Sequence, residues 1–467
     1  MSVAKEAVVD IKFGTDGWRG VMARDFTFDN VRRVAQAIAE HLKDKPRSHG
    51  RAIVGYDRRF QSESFALEIA RILQRNKFKP ILMSEPLPTP AVSFLSAREK
   101  AVGVMVTASH NPPAYNGVKI KLEGRAASEE TTRAVEACLD RAVPIRDGEV
   151  ERKSFRKDYL NWLRSRVSCG PLASIKRPII VDYMHGCAAG LFEELVRAKR
   201  LTTLRGRHDP LFGGVRPEPM EKNLGELISR VKKEKALAGF AFDGDADRIG
   251  VVDDLGRYLT PCQVFPILAE YLINAKKIKG KIVQSVSLGY LAGRIAKANG
   301  LEFEELPVGF KHVAERLALG QAAIGGEESG GYAWKGSQPE RDGLLAALLI
   351  LEICVKTRKT PSQLWADIEK KYGKSHFQRA DYRLYKPVVD KRAFAEKIKK
   401  RLPQKILGSP VQQIIDIDGL KVILQGDHWV LMRPSGTEPL LRVYAESDSA
   451  KRTQELLELG RKWSGAS

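Results

Sequence analysis

Hydrophobic and polar positions form blocks with two different periods along the chain. Short apolar runs rich in β-branched residues predict buried strands, the first at Arg51–Tyr56. A longer stretch at helical spacing follows at Ser62–Asn76. Strands that alternate with amphipathic helices predict βαβ units and mainly parallel sheets. Further strands are predicted at Lys79–Met83, Ala101–Val106, Pro178–Tyr183, Leu237–Phe242, Lys281–Val286 and Gln321–Gly325, and helices at Pro261–Ala275 and Gly343–Lys356.

The chain changes its pattern from about Ser375 onward. The segment Arg383–Lys405 is the most densely basic and in part predicts an amphipathic helix with a solvated basic face. Alternating runs then follow, ILGSPVQQIIDIDGLKVIL and HWVLMRPSG, which predict antiparallel strands with a turn at Asp418-Gly419. A smaller α+β domain is therefore expected at this end.

Three predicted strands end in polar turns that contain glycine, within VMVTASHN, FAFDGDADR and AIGGEESGG. Ligands of open α/β sheets bind beyond the carboxyl ends of strands, so three such edges suggest three similar α/β domains around one site. The fold class expected is α/β, with mixed, mainly parallel sheets in these three domains and a C-terminal α+β domain. The predicted boundaries give domains at 1–150, 151–256, 257–374 and 375–467.

Composition excludes several classes of protein. Of 467 residues, 43% are hydrophobic and 29% charged, which excludes a wholly disordered chain. The longest apolar run, Leu344–Leu351, is far shorter than the ~20 residues that span a bilayer. Glu6 and Asp10 stand where a signal peptide needs an apolar core, and the five cysteines form no CxxC pair. A cytoplasmic protein with reduced thiols and no membrane partner is expected.

The formal net charge is +21, from 78 Lys plus Arg and 57 Asp plus Glu. Such a balance is typical of proteins that meet nucleic acid, a membrane surface or an anionic small substrate. The basic residues are spread along the chain, and no zinc-finger or aromatic RNP motif accompanies them. A solvated surface and a small anionic substrate are therefore favoured over a nucleic-acid partner.

The segment DGDADR, Asp243 to Arg248, carries the strongest local signal. Three carboxylates at positions i, i+2 and i+4 follow an apolar strand, and in a turn they can converge on one hard cation such as Mg²⁺. A solvated acidic turn is the alternative. An EF-hand fits poorly, because Arg248 stands where glycine is needed and Asp254 where glutamate is needed. Arg248 suits a phosphate held beside the cation.

A second polar segment, Thr107–Ile120, places Ser109 beside His110 at a tight turn and Lys119 ten residues further on. A lone Ser-His pair is more often a helix or turn cap than a nucleophile. The dipeptide Asn116-Gly117 is interpreted as a loop signal. The segment gains weight beside a metal site that lacks any other nucleophile.

Two other segments have compositions that suit a phosphate and a sugar respectively, and a third is rich in glycine but indicates little alone. Arg433–Glu446 joins arginine, hydroxyls and glycine in a turn, typical of a phosphate cradle, although a polar hairpin would share this composition. Gly325–Tyr332 sets two carboxylates and a serine among four glycines, which suits sugar hydroxyls or a flexible loop. Lys12–Gly20 is a further glycine-rich turn that ends near Arg19.

Taken together, FGTDGWRG, TASHNPPAYNGVK, DGDADR, GEESGG and RPSGTEP resemble, in order and spacing, the motifs of the α-D-phosphohexomutase superfamily. The resemblance covers nearly the whole chain. It implies four domains around a central cleft and an intramolecular phosphotransferase of the phosphoglucomutase/phosphomannomutase kind. The expected reaction interconverts hexose 1-phosphate and hexose 6-phosphate, of glucose and/or mannose, through a phosphoserine and a bisphosphorylated sugar. One Mg²⁺ per chain, glucose 1,6-bisphosphate as activator, and a monomer or homodimer are also expected.

The resemblance also implies roles for individual residues. Ser109 would be phosphorylated and would hold Mg²⁺ together with Asp243, Asp245 and Asp247. Arg248 would contact the transferring phosphate, and Lys119 and His110 would serve proton transfer and positioning. The residues that would bind substrate are Arg19, Glu327, Ser329, Arg433, Ser435, Gly436 and Thr437.

The sequence departs from the family pattern in one segment, and three alternative functions stay open. Some relatives carry a lysine in the segment that is SVSLG here, so Lys311 and His312 are expected to supply that contact. A phosphoglucosamine mutase is the first alternative, although such members commonly have glutamine where this chain has Glu328. In a haloacid-dehalogenase-type phosphatase or mutase, Asp243 would carry the phosphate instead of Ser109. A basic nucleic-acid-binding protein is the third alternative, and it leaves DGDADR unexplained.

Overall fold

The computed structural model describes residues 10–14, 16–42, 50–139, 148–435 and 439–465. The chain divides into two compact units. The first contains Met1–Tyr258 and Gly331–Thr360, and the second contains Leu259–Gly330 and Pro361–Ser467.

The first unit begins with an eight-stranded mixed sheet in the order β1-β2-β6-β5-β3-β4-β8, with β7 paired to β6. Its strands are β1 (Phe13–Gly14), β2 (Gly17–Val21), β3 (Arg51–Tyr56), β4 (Lys79–Met83), β5 (Val102–Val106), β6 (Tyr115–Leu122), β7 (Arg125–Ala126) and β8 (Glu151–Lys153). Strand β3 pairs in parallel with β4 and β5, whereas β6 is antiparallel to β5 and β2. The helices are α1 (Phe28–Leu42), α2 (Ser62–Arg75), α3 (Thr89–Arg98), α4 (Glu129–Glu136) and α5 (Arg156–Arg166).

The interpretation of Asn116-Gly117 as a loop is wrong, because both residues lie inside β6. A Cβ at Gly117 would lie 2.4 Å from the carbonyl oxygen of Trp18 and 2.7 Å from that of Thr107. The glycine therefore serves the close approach of neighbouring backbones rather than a turn.

A second sheet in the same unit has five strands in the order β10-β9-β11-β12-β13. They are β9 (Ile179–Asp182), β10 (Leu201–Leu204), β11 (Ala238–Phe242), β12 (Ile249–Val252) and β13 (Tyr258–Leu259), with helices α6 (Leu191–Val196) and α7 (Gly225–Glu234). Strands β11 and β12 form an antiparallel hairpin in which Phe242 faces Ile249. The DGDADR segment is the turn of this hairpin, so two fully buried strands fix its position.

The second unit begins with three parallel strands in the order β15-β14-β16. Its elements are α8 (Pro261–Asn274), β14 (Ile282–Ser285), α9 (Leu291–Ala298), β15 (Phe303–Leu306), α10 (Phe310–Ala318) and β16 (Ile324–Glu327). The strand predicted from Gln321 begins only at Ile324, because the amides of Gln321 and Ala322 donate to the carbonyl of Arg316 and close the end of α10. The chain then returns to the first unit with β17 (Gly331–Trp334) and α11 (Gly343–Thr357).

The rest of the second unit contains a six-stranded antiparallel sheet in the order β18-β23-β22-β21-β20-β19. Its elements are α12 (Pro361–Tyr372), β18 (His376–Arg383), α13 (Lys391–Lys399), β19 (Lys405–Ile406), β20 (Ser409–Ile415), β21 (Leu420–Leu424), β22 (Trp429–Pro434), β23 (Leu440–Ser447) and α14 (Ala450–Ser464). The predicted turn at Asp418-Gly419 is confirmed between β20 and β21. The basic helix is α13, which buries Ala395 and Ile398 but none of its lysines.

All five cysteines are free, as the irregular spacing predicts. Among the described residues, no helix combines the length and apolar character needed to cross a bilayer.

Candidate active site

The three carboxylates of the DGDADR turn form the centre of the candidate site. Asp243, Asp245 and Asp247 are fully buried, and they offer carboxylate oxygens within 4.8 Å of one another. The Oδ1 atoms of Asp245 and Asp247 are buried without a hydrogen-bond partner in the described part of the chain. Since buried unsatisfied oxygens are costly and hard oxygen donors suit Mg²⁺, this set fits a divalent cation. The burial rules out a solvated acidic turn.

Ser109 lies directly against this turn. Its Oγ donates to Asp243 Oδ2 at 2.8 Å and lies 3.3 Å from His110 Nδ1. Its backbone is in the left-handed region, with φ of 53°. A Cβ at Gly244 would lie 2.6 Å from the carbonyl oxygen of Ser109, so the glycine allows the two loops to meet. The structure thus brings together two segments that are 134 residues apart.

Arg59 holds the serine loop, residues 107–115, by its backbone carbonyl groups. Its guanidinium is buried and donates to the carbonyl oxygens of Ser109 (2.6 Å), Asn111 (2.7 Å), Pro112 (2.9 Å) and Tyr115 (3.0 Å). Asp57 lies 3.2 Å from Arg59 and accepts from the hydroxyl of Thr107. Sequence reasoning missed both residues, although the polar YDRR segment at the carboxyl end of β3 is a signal of the same kind as the other strand ends.

Lys119 projects from β6 into the carboxylates. Its Nζ lies 2.8 Å from Asp245 Oδ2, 3.0 Å from Asp247 Oδ2 and 2.7 Å from Asp16 Oδ2, and its side chain is 1% exposed. Burial lowers the pKa of Lys119, but the neighbouring carboxylates, Asp16 foremost, outweigh burial and raise it. The ammonium therefore keeps its proton at neutral pH.

Asp16 is an acceptor shared by three buried cations. Besides Lys119 it binds Lys121 at 3.2 Å and Arg341 at 2.8 Å. Although burial raises the pKa of the Asp16 carboxyl, these cations hold it well below its usual range. Arg341 also binds Asp247 at 2.6 Å, so it ties Asp16 to the carboxylate turn.

The sequence contained a usable signal for part of this network. Lys119 and Lys121 are two residues apart on one strand, so they share a face. Glu340 accepts from Lys121 Nζ at 2.6 Å and from Ser93 Oγ at 3.0 Å. Sequence reasoning missed Asp16, Lys121, Glu340 and Arg341.

The start of α11 supports the carboxylate turn from another direction. The amide of Gly343 donates to the carbonyl of Ala246 at 3.1 Å, and a Cβ there would lie 2.6 Å from the carbonyl oxygen of Arg248. Asp342 caps α11 by accepting from the amide of Leu345 and also accepts from Tyr159 Oη. Burial raises the pKa of Asp342 to about 7.

Two arginines and a histidine surround the serine loop. The backbone amide of Arg248 donates to Asp243 Oδ1, and its buried Nε has no hydrogen-bond partner among the described residues. Arg19 donates to Asn111 Oδ1 at 2.7 Å. Burial, reinforced by the charges of Arg248 and Arg19, holds the pKa of His110 well below its usual value. His110 is therefore a neutral imidazole at neutral pH.

The predicted sugar residues lie at the end of β16, in the second unit. Ser329 Oγ donates to Glu327 Oε2 at 2.9 Å, so the two side chains are already held together. Glu328 accepts from Ser285 Oγ at 3.2 Å. Lys311 and His312 lie in the first turn of α10.

The predicted phosphate cradle follows β22. Arg433 Nε donates to Asp418 Oδ2 at 2.7 Å, and the amide of Ser435 donates to the carbonyl of Leu440 at 2.8 Å. Gly436 and Thr437 lie outside the described residues.

A lysine does reach the SVSLG segment, but from another element. Lys421 of β21 places its Nζ 2.9 Å from the carbonyl oxygen of Val286 and 2.6 Å from Glu305 Oε1. No local sequence signal indicated this contact, which depends on pairing two distant segments. The substrate role of Lys311 and His312 stays a prediction.

Four models of one family match the chain in order. They are the phosphoglucomutase/phosphomannomutase alpha/beta/alpha domains I (residues 10–144), II (157–256) and III (260–372), and the C-terminal domain of the same family (384–459). The chain belongs to the phosphoglucomutase/phosphomannomutase family. This membership confirms the predicted superfamily, the fold class and an intramolecular phosphotransferase. The exact domain boundaries stay a prediction.

Individual relatives of the phosphoglucomutase/phosphomannomutase family match over almost their whole length. A phosphoglucomutase/phosphomannomutase of Thermococcus kodakarensis is 30% identical, over 96% of this chain and 97% of the relative. A Methanothermobacter thermautotrophicus protein, provisionally assigned as a phosphoglucosamine mutase, is 31% identical over 96% of each chain. The crystal structure of a Thermus thermophilus protein, provisionally assigned as a phosphomannomutase, is 33% identical with a TM-score of 0.86, over 97% of this chain and 98% of the other.

Proposed function

We propose that this chain interconverts hexose 1-phosphate and hexose 6-phosphate, with glucose and mannose as its sugars. Ser109 is the phosphoryl carrier, and a bisphosphorylated sugar, glucose 1,6-bisphosphate in the case of glucose, is the intermediate. One observation carries the proposal. The Ser109 hydroxyl lies 2.8 Å from the first of three buried carboxylates that fit a divalent cation.

The reaction proceeds by two phosphoryl transfers. The free hydroxyl oxygen of the sugar forms a bond to the phosphorus on Ser109 while the bond from phosphorus to Oγ breaks. The proton of that sugar hydroxyl ends on the departing Oγ, so Ser109 is left as a hydroxyl that can be phosphorylated again. After the bisphosphate has turned around, Oγ forms a bond to its other phosphorus while the bond from that phosphorus to the sugar oxygen breaks. The sugar oxygen takes up the proton of Ser109, and the sugar leaves as the isomer. The phosphate has then moved between C1 and C6 with no net change in the enzyme.

The chain's own side chains position these groups. Arg248 contacts the transferring phosphate, since its buried Nε has no hydrogen-bond partner among the described residues. Lys119 and His110 serve proton transfer and positioning, and Arg59 keeps the serine loop in its left-handed conformation. Asp243, Asp245 and Asp247 would hold Mg²⁺ together with phosphorylated Ser109. Bound Mg²⁺ would neutralise charge on the transferring phosphate.

Sugar and remote phosphate are assigned to the second unit. Glu327 and Ser329, already hydrogen-bonded to each other, offer an acceptor and a donor to sugar hydroxyls. The residues that we assign to the remote phosphate are Arg433, Ser435, Gly436 and Thr437. Lys311 and His312 are further substrate contacts from this unit, and Arg19 is one from the first unit. We also propose a cytoplasmic location, in keeping with five free thiols.

A phosphoglucosamine mutase is a second candidate, favoured by a specific observation. Glu328 adds a carboxylate to the sugar loop, and it could attract the ammonium of glucosamine. Several relatives are provisionally assigned to that activity. Glucose and mannose differ only at C2, so a loop that reads C3 and C4 would accept both.

The deciding experiment compares kcat/KM for glucose 1-phosphate, mannose 1-phosphate and glucosamine 1-phosphate at one Mg²⁺ concentration. We expect the first two to be turned over better than the third. The matched variant Glu328→Gln should leave that order unchanged. A clear preference of the unaltered chain for glucosamine 1-phosphate would establish the second candidate instead, and its loss in Glu328→Gln would show that Glu328 is the residue responsible.

A further inference from the structure

The Asp418-Gly419 turn does more than connect two strands. Gly419 has a φ of 94°, and a Cβ there would lie 2.4 Å from the carbonyl oxygen of Met432. The turn is therefore pressed against the backbone just before Arg433. Because only glycine tolerates both the dihedral angle and the close contact, this turn brings the carboxylate of Asp418 to the guanidinium of Arg433.

Asp418 has three partners from three different elements. Its Oδ2 accepts from Arg433 Nε at 2.7 Å and from the amide of Val308 at 3.3 Å, and its Oδ1 lies 2.8 Å from Lys391 Nζ. The side chains of Asp418 and Arg433 are 9% and 13% exposed, whereas that of Lys391 is 35% exposed. The buried pair between Asp418 and Arg433 is therefore the one less screened by water.

The partner Val308 belongs to the loop between β15 and α10. Two residues later α10 begins, and its first turn contains Lys311 and His312. Lys421, three residues beyond Asp418, is anchored to the same region, on Glu305 of β15 and on the carbonyl of Val286 after β14. The start of β21 is thus fixed at the carboxyl ends of two parallel strands, where α/β sheets bind their ligands.

We propose that Asp418 is a positioning residue for substrate recognition, which holds the Arg433 guanidinium and, through the amide of Val308, the loop leading to Lys311 and His312. The proposal rests on the phosphate-binding role assigned to Arg433 under the proposed function. Asp418 occupies Nε of Arg433 and so fixes the plane of the guanidinium fork, which is what bidentate recognition of a phosphate requires. Asp418 acts on binding in both substrate orientations, and it does not touch the reacting phosphate.

The test is a double-mutant cycle with Asp418→Asn and Arg433→Ala. We expect Asp418→Asn to raise KM about tenfold for both glucose 1-phosphate and glucose 6-phosphate, while kcat changes by less than about threefold. In the Arg433→Ala background, Asp418→Asn should lose most of its effect, because Asp418 acts chiefly through Arg433 and only the part that acts through the Val308 loop remains. A merely structural role would give effects that multiply. The matched control Lys391→Gln removes the more exposed of the two cationic partners of Asp418 and should keep wild-type KM.

Each other outcome has a defined meaning. A wild-type KM in Asp418→Asn, or its full effect in the Arg433→Ala background, would overturn the proposal and leave the mutase function intact. Wild-type kinetics in Arg433→Ala would remove the phosphate-binding role of Arg433 and this proposal with it. Failure of the unaltered chain to turn over any hexose phosphate would reject the proposed function itself. If Asp418→Asn does not fold, Asp418→Glu takes its place, with raised KM and retained kcat expected.

Discussion

Ser109 donates its hydroxyl hydrogen to Asp243 across 2.8 Å, and the two residues follow strands of two different sheets. The contact is supported from both sides. Arg59 binds the carbonyl of Ser109, and Gly244 lets the carboxylate turn approach it. A hydroxyl placed in this way beside three buried carboxylates is suited to carry a phosphate whose charge a cation balances.

Ser109→Ala tests the phosphoryl carrier directly. The variant retains the loop contacts made by the backbone but has no Oγ, so we expect kcat to fall by about 1000-fold or more. Mass spectrometry of the unaltered protein incubated with glucose 1,6-bisphosphate should place one phosphoryl group on the peptide containing Ser109. Ser93→Ala, which removes another buried serine of the same unit, is the control and should keep the label. A label on Asp243, or wild-type kcat in Ser109→Ala, would contradict the assignment.

Asp245→Asn tests the cation site. Asp245 is fully buried, and its Oδ1 has no hydrogen-bond partner among the described residues, so that oxygen is available to a cation. An amide at this position removes the ligand charge, and it also weakens the pairing of Oδ2 with Lys119 Nζ, 2.8 Å away. We expect the Mg²⁺ concentration for half-maximal rate to rise at least about tenfold. Asp209→Asn changes a half-buried turn carboxylate that accepts from the amides of Leu211 and Gly213, and it serves as the control. An unchanged Mg²⁺ dependence in Asp245→Asn would remove the residue from the metal site.

The sequence predicted most of the secondary structure because the two hydrophobic periods are clear in it. Strand β3 and helix α8 begin at the predicted residues, and the antiparallel strands after Ser375 are present. The motifs also predicted the residues of the carboxylate turn and of the serine loop. The hydrophobic period and the residue types of a motif are both visible within one short segment, so they can be predicted without knowing what the segment contacts.

What could not be predicted depends on contacts between distant segments. Arg341 binds Asp16 from a position 325 residues away, and no property of either segment alone indicates this pair. The interpretation of Asn116-Gly117 as a loop is wrong for the same reason. Locally it is a turn signal, but the glycine is required by the carbonyl groups of Trp18 and Thr107.

Gly117→Ala should destabilise the first unit. Its Cβ would meet two backbone oxygens at 2.4 and 2.7 Å, and backbone cannot move aside as a side-chain end can. Overpacking of this kind costs about 1–3 kcal/mol or more. Thermal unfolding should therefore occur at a lower temperature. Gly225→Ala makes the same change where nothing lies within 4 Å, at the first residue of α7, and should be neutral or slightly stabilising. Equal unfolding temperatures for the two variants would refute the close-contact explanation.

Asp16→Asn tests whether the shared acceptor of Lys119, Lys121 and Arg341 matters for the reaction. The amide keeps the size of the side chain but removes the charge that faces three buried cations. Lys119 would then be held only by Asp245 and Asp247, the carboxylates assigned to Mg²⁺, and would compete with the cation for them. Because small displacements of a positioned group cost up to about 100-fold in rate, we expect kcat to fall about 10- to 100-fold with a smaller change in KM. The Mg²⁺ concentration for half-maximal rate should also rise.

The control is Asp25→Asn in the same unit. It changes an acceptor of Arg24 and of the Val21 amide, away from this network, and should behave as wild type. Retention of wild-type kcat and Mg²⁺ dependence in a folded Asp16→Asn protein would show that Lys119 is placed by the carboxylate turn alone.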